Sequence, residues 1–142
     1  MKIAVYGPLY NERSKSTIKI LIDYLKTKKA NVLFERTFYE SIVTNSSIDL
    51  ISYGFNTFKV LDASYELLIS VGGDGTILRA ITYVKDLNIP IVGINTGRLG
   101  FLATIPMNKV ETALSEIFEG NYRISKRSLL AINIDGNEPG FD

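Results

Sequence analysis

The sequence predicts an α/β fold: a parallel sheet covered by helices over residues 1–121, followed from residue 122 by the opening strand of a second, β-rich unit. Three observations carry this. Short apolar runs alternate with segments whose apolar residues recur at helical spacing, as a chain of strand–helix units requires. Two of the runs, residues 65–71 (YELLISV) and 89–95 (IPIVGIN), are nearly unbroken, as strands buried on both faces are. After Gly120 the alternation stops, and strand-like material (YRISKRSLLAINIDG) has no helical segment behind it.

Each element has its own grounds. Residues 2–6 (KIAVY) read as the first strand, and the polar stretch GPLYNERSK as the loop after it. A helix over residues 16–28 places Ile18, Leu21, Ile22 and Leu25 on one face. Residues 31–35 (NVLFE) form a second strand. Residues 44–64, rich in Ser, Asn and Asp, have no sustained period and read as a long irregular connection. After the strand at 65–71, Ile77, Leu78, Ile81, Val84 and Leu87 mark a helix over residues 75–87. The strand at 89–95 leads into a second glycine-punctuated turn, TGRLGFLATI. The next helix begins after Pro106, with Asn108 as N-cap and Glu111 three residues on. Val110, Leu114, Ile117 and Phe118 form its inner face and Gly120 ends it. Beyond it, Ile132–Asp135 alternates strictly and DGNEPGFD makes a turn. One strand is not a domain, so the 142 residues are expected to carry only the start of the second unit.

Composition narrows the chemistry. A 46% hydrophobic and 22% charged chain buries a core rather than staying disordered. A net charge of +1 gives no electrostatic reason to expect nucleic acid or an anionic membrane as partner. No stretch reaches the ~18–20 apolar residues that span a bilayer, and MKIAVYGPLY is broken too early to be a secretory signal. Cysteine and histidine are absent, which within these residues excludes disulfides, a Cys nucleophile, a His base and a Cys/His zinc site. Acid–base work falls to carboxylates, Lys, Tyr or a metal-bound water. A cytoplasmic location fits this composition.

The functional signal is SVGGDGTILRA, where a buried strand meets a helix. Ligands of parallel α/β sheets bind beyond the carboxyl ends of the strands. Gly72, Gly73 and Gly75 let the backbone approach a ligand, and the helix start offers free N–H groups and the positive end of its dipole, an arrangement suited to phosphate. Thr76 adds a hydroxyl. Asp74 is out of place beside phosphate. It is a helix N-cap, the acceptor of a proton from a substrate hydroxyl, or the holder of a Mg²⁺ that offsets phosphate charge. A carboxylate beside phosphate oxygens is what phosphoryl transfer needs. The GxxxxGK[ST] and GxGxxG patterns do not occur here.

GGDGT after a buried strand resembles the signature of a kinase superfamily containing NAD kinases, diacylglycerol- and sphingosine-type lipid kinases and, more distantly, 6-phosphofructokinases. The following IPIVGINTGRLGFLA is similar to the NAD kinase pattern, in which a GxLGF turn follows the fourth strand; the GTxND-like segment of the lipid kinases is absent. The resemblance runs from Met1 to about Asp135. It implies a Rossmann-like N-terminal domain of the NAD kinase/diacylglycerol kinase type, followed by the beginning of a β-rich NAD-binding domain. It also implies phosphorylation of the adenosine-ribose 2′-hydroxyl of NAD by ATP, or by polyphosphate, with Mg²⁺ or a similar divalent cation, in a homodimer or homotetramer.

By the family pattern Asp74 is the base at that hydroxyl. Gly72, Gly73, Gly75 and Thr76 line the phosphate and dinucleotide site, Arg79 lies near NAD, and Phe101 contacts adenine with Leu102 beside it. Taken by themselves, Arg79 and Arg98 read as solvated arginines and Leu102 as a packing residue. The family's Asn-Glu pair belongs to its second domain, and Asn137-Glu138 is read as a coincidence of a Gly/Pro turn. The 142 residues are thus expected to hold about half of an NAD site and to turn over little by themselves. A lipid or sugar kinase of the same superfamily, or a non-catalytic nucleotide-binding domain, are the alternative readings.

Overall fold

A computed structural model describes residues 1–130. It contains β1 (Lys2–Tyr6), α1 (Lys15–Leu25), β2 (Asn31–Glu35), α2 (Arg36–Asn45), β3 (Asn56–Phe58), β4 (Leu67–Gly72), α3 (Asp74–Val84), β5 (Ile91–Asn95), a 3₁₀ turn (Met107–Lys109) and α4 (Val110–Phe118). The five strands form one all-parallel sheet in the order β3-β2-β1-β4-β5. The chain first builds outward from β1 to β3, then returns to β1's other side for β4 and β5. The topological switch point therefore lies between the carboxyl ends of β1 and β4, where a ligand crevice is expected.

The sheet is covered on both faces, and strand periodicity divides the core. Ile3 and Val5 of β1, Phe34 of β2, and Leu67, Ile69 and Val71 of β4 pack with α1, α2 and α4. Ala4 and Tyr6 of β1, together with Leu68 of β4, turn to the opposite face against Ala80 and Val84 of α3. Alternate side chains pointing to opposite faces produce this split. All six residues of β4 are buried, as the unbroken apolar run predicted. Gly93 in β5 is required by packing: a Cβ there would lie 2.8 Å from Ala103 Cα and would press on Ile77.

Several elements depart from the sequence reading. The irregular connection expected over residues 44–64 holds the end of α2 and the short strand β3, anchored by fully buried Leu50 and by Phe55 and Phe58. Helix α2, whose N-cap position carries none of the usual capping residues, follows β2 directly. Its cap is the buried Glu35, whose carboxylate accepts from Phe38 N–H at 2.9 Å, and Phe38, Ser41 and Ile42 form its inner face. The α4 start is also different. Asn108 lies in the 3₁₀ turn, no side chain caps the helix, and Lys109 N–H donates to the Pro106 carbonyl at 2.9 Å. A tightened 3₁₀ first turn satisfies the terminus in place of a capping box. Gly120 ends α4 as predicted, at φ +78°, with Asn121 N–H closing on the Glu116 carbonyl at 2.8 Å. Leu78, expected on the inner face of α3, is 54% exposed.

Residues 121–130 are exposed and carry no helix or strand. The strand expected around Ile132–Asp135 and the Asn137-Glu138 pair lie outside the described residues. Among the described residues no helix is long and apolar enough to cross a membrane.

Candidate active site

The two glycine turns meet at the carboxyl edge of the sheet. The first follows β4. Gly73, in an extended conformation, is the N-cap of α3 and offers no side-chain cap; its carbonyl accepts from Thr76 N–H at 3.0 Å and Ile77 N–H at 3.3 Å. The opening N–H groups of α3 have no carbonyl one turn back within the helix. A Cβ at Gly73 or Gly75 would enter open space. Neither glycine is demanded by packing, and without side chains both leave the backbone rim of the helix start accessible. Gly72 differs, because Thr76 folds over it: a Cβ there would collide with the Thr76 hydroxyl.

Asp74 is the first residue of α3, one position past the cap, so its side chain does not cap its own helix. It reaches across to the second turn. Asp74 Oδ1 accepts from Leu102 N–H at 3.0 Å and Ala103 N–H at 2.9 Å, and Oδ2 accepts from Phe101 N–H at 2.9 Å. These three N–H groups, that of Ala103 foremost, hold the carboxylate below its ordinary value of 3.8, because hydrogen bonds to the charged form favour it. Each carboxylate oxygen has two acceptor sites. Oδ1 is filled, and Oδ2 retains one. Gly100 makes the approach possible, since a Cβ there would lie against both carboxylate oxygens.

A second side chain, missed by sequence reasoning, holds the same turn from inside. Asn95, the last residue of β5, is 4% exposed. Its Nδ2 donates to the Arg98 carbonyl at 2.8 Å and the Ala103 carbonyl at 3.1 Å, while Oδ1 accepts from Gly97 N–H at 2.7 Å. The chain then returns beside β5. Asn95 N–H donates to the Ile105 carbonyl at 2.7 Å, and Ile105 N–H to that of Gly93 at 3.2 Å. The available signal was a lone polar residue ending an otherwise apolar strand, immediately before a glycine turn.

The structure thus brings Asp74, Gly72, Gly73, Gly75 and Thr76 together with Phe101 and Leu102. Phe101 is 94% exposed, its ring presented outward while its N–H is held by Asp74; Leu102 is half-buried. Arg79, one turn into α3, lies beside the Tyr6 phenol at the end of β1; burial pushes that phenol up and the guanidinium counteracts it. Arg98 is exposed on the turn. A cavity of about 590 Å³ lies elsewhere, between α1 and the end of α2, and none of its lining residues belongs to either turn. Of its lysines, Lys19 is spent on Asp23 at 2.7 Å.

Fold and site together define the class: a parallel α/β domain with an open glycine–aspartate turn at its switch point, locked to a second glycine turn. Residues 9–122 match the family model described as the ATP-NAD kinase N-terminal domain, and the chain belongs to that family. It is 43% identical over 132 residues to the NAD kinase of Christiangramia forsetii, covering 93% of this chain and 45% of that protein. It is 46% identical over 132 residues to the NAD kinase of Flavobacterium psychrophilum, with the same coverage. It is 35% identical over 141 residues to that of Flavobacterium johnsoniae, covering 99% of this chain and 48% of the relative. The chain spans about half the length of these curated relatives.

Proposed function

We propose that the protein is an NAD kinase, moving the γ-phosphoryl group of ATP, or a terminal phosphoryl of polyphosphate, to the adenosine-ribose 2′-hydroxyl of NAD. Relatives named NAD kinase at 43–46% identity support the activity, and the observation that carries the chemistry is the Asp74 carboxylate. It is ionised, fixed by three N–H groups, and left with one acceptor site on Oδ2 beside an open backbone rim. That site takes the acceptor hydroxyl. The hydroxyl oxygen bonds to the transferred phosphorus, the bond to the leaving phosphate oxygen breaks, and the hydroxyl proton passes to Asp74. A depressed carboxylate is a weak base, and it suffices because proton removal is late in a loose phosphoryl transfer. Orientation is its larger contribution.

In this reading Gly72, Gly73 and Gly75 admit phosphates to the start of α3, and Thr76 adds its hydroxyl. Phe101 stacks on adenine with Leu102 beside it, and Arg79 lies toward the dinucleotide. A divalent cation does not fit the residues described. Among them no group of three acidic or other metal-binding side chains converges, and the one acceptor site left on Asp74 goes in this reading to the substrate hydroxyl. We propose that Mg²⁺ enters bound to the donor's phosphates, in keeping with its preference for phosphate and water ligands. We further propose a domain boundary near residue 121 with a β-rich NAD-binding unit beyond it, a homodimeric or homotetrameric cytoplasmic protein, and no nucleic-acid or membrane partner.

The test is Asp74→Asn in the whole protein, assayed for NADP formation from ATP and NAD. The expected kcat loss is ~10²–10⁴-fold, the range for a positioned acid–base group, with folding retained by circular dichroism. Turnover like that of the wild type removes Asp74 from the chemistry.

A further inference from the structure

We infer that Asn95 is a positioning residue for the acceptor nucleotide, acting through the turn that presents Phe101; the inference rests on the NAD kinase reading above. The turn from Thr96 to Thr104 has no secondary structure of its own. Two side chains hold it. Asp74 gathers the N–H groups of Phe101, Leu102 and Ala103, and Asn95 gathers the Gly97 N–H and the carbonyls of Arg98 and Ala103. The one additional backbone tie is Thr96 N–H to the Gly72 carbonyl at 3.3 Å. Ala103 is the shared residue: its N–H is bound to Asp74 and its carbonyl to Asn95.

The division of labour follows from where the two clamps sit. Asp74 faces the open rim, whereas Asn95 is buried under the turn, touches no ligand space, and acts only through backbone. The Phe101 ring projects outward with 94% exposure, so packing does not fix it; its placement depends on the backbone that Asn95 and Asp74 hold. Without Asn95 the turn keeps its anchor at residues 101–103 but is released at Gly97, Arg98 and the Ala103 carbonyl. A platform that must meet a planar base within a fraction of an ångström then loses its register, and misplacement by ~1 Å is enough for ~10²-fold effects. The loss falls on acceptor binding, because the helix start that admits phosphates lies on the other turn.

The experiment compares wild type with Asn95→Ala in the whole protein by steady-state kinetics and by hydrogen exchange at residues 97–103. The expected result is a KM for NAD raised ~10–100-fold, a KM for ATP within about twofold, and faster exchange at Gly97, whose N–H loses its acceptor. Unchanged exchange with unchanged KM for NAD overturns the inference. So does a uniform loss, in which both KM values and the thermal midpoint change together, because that is the mark of a residue serving only the fold. Should Asn95→Ala fail to fold, Asn95→Asp is measured instead; it keeps the shape and the acceptor for Gly97 but replaces both donations by repulsion from two carbonyls. A wild type that forms no NADP refutes the functional reading itself, and the exchange data then decide the clamp without reference to substrate.

Discussion

At Asp74 three backbone N–H groups converge on one carboxylate, and this sets its titration. A folded value below the unfolded one means that the interaction stabilises the protein above the ordinary aspartate range and is lost as pH falls through the depressed folded value. The lock between the two turns is therefore expected to hold at pH 5 and to open only under strongly acid conditions. A carbon-detected NMR titration of the Asp74 carboxylate should give a midpoint below 3.8; a higher midpoint contradicts the three-donor geometry. Gly100 tests the same contact sterically. Gly100→Ala sets a Cβ against the carboxylate and is expected to cost ~1–3 kcal/mol, read from the denaturation midpoint. The motif made Asp74 stand out in the sequence as a candidate for the chemistry. Its partners were not legible, because backbone N–H groups leave no mark in a sequence. Nor did Asn95 stand out, since one polar residue at a strand end is common.

At the scale of elements, α3 separates stability from function. A glycine at its second position is unfavourable for a helix, and a Cβ at Gly75 meets nothing. Gly75→Ala is expected to stabilise the fold by about 0.5–1 kcal/mol while lowering activity at least tenfold, because the new methyl group fills the space that the proposed function assigns to phosphate. Thermal melts and kinetics on one preparation check both halves, and undiminished activity means the rim is not used. The elements that were legible, β1, α1, β2, β4, α3, β5 and α4, are those whose apolar pattern is uninterrupted. Helix α2 escaped because its inner face is short and rich in aromatic and β-branched residues, which are weak helix formers. Its cap is moreover a glutamate, outside the usual set. β3 escaped because three residues are too few to show a period, and what holds it is its pairing with β2 at Leu33, Phe34 and Glu35.

On the scale of the whole molecule, strand order places the site. Reversal of direction at β1 opens a crevice between β1 and β4, and the glycine–aspartate turn occupies its β4 side. The strands on both sides of that crevice lie within the described residues, and the matched relatives are about twice as long as this chain. A polypeptide of residues 1–142 is accordingly expected to bind NAD weakly and to make little or no NADP, measured against the whole protein by calorimetry and product assay. The identity of the acceptor is read by offering the whole protein labelled ATP with NAD, a diacylglycerol and fructose 6-phosphate in parallel. Label is expected on NAD alone, at the adenosine-ribose 2′-position. Phosphorylation of the lipid or the sugar, with NAD left unlabelled, would contradict it.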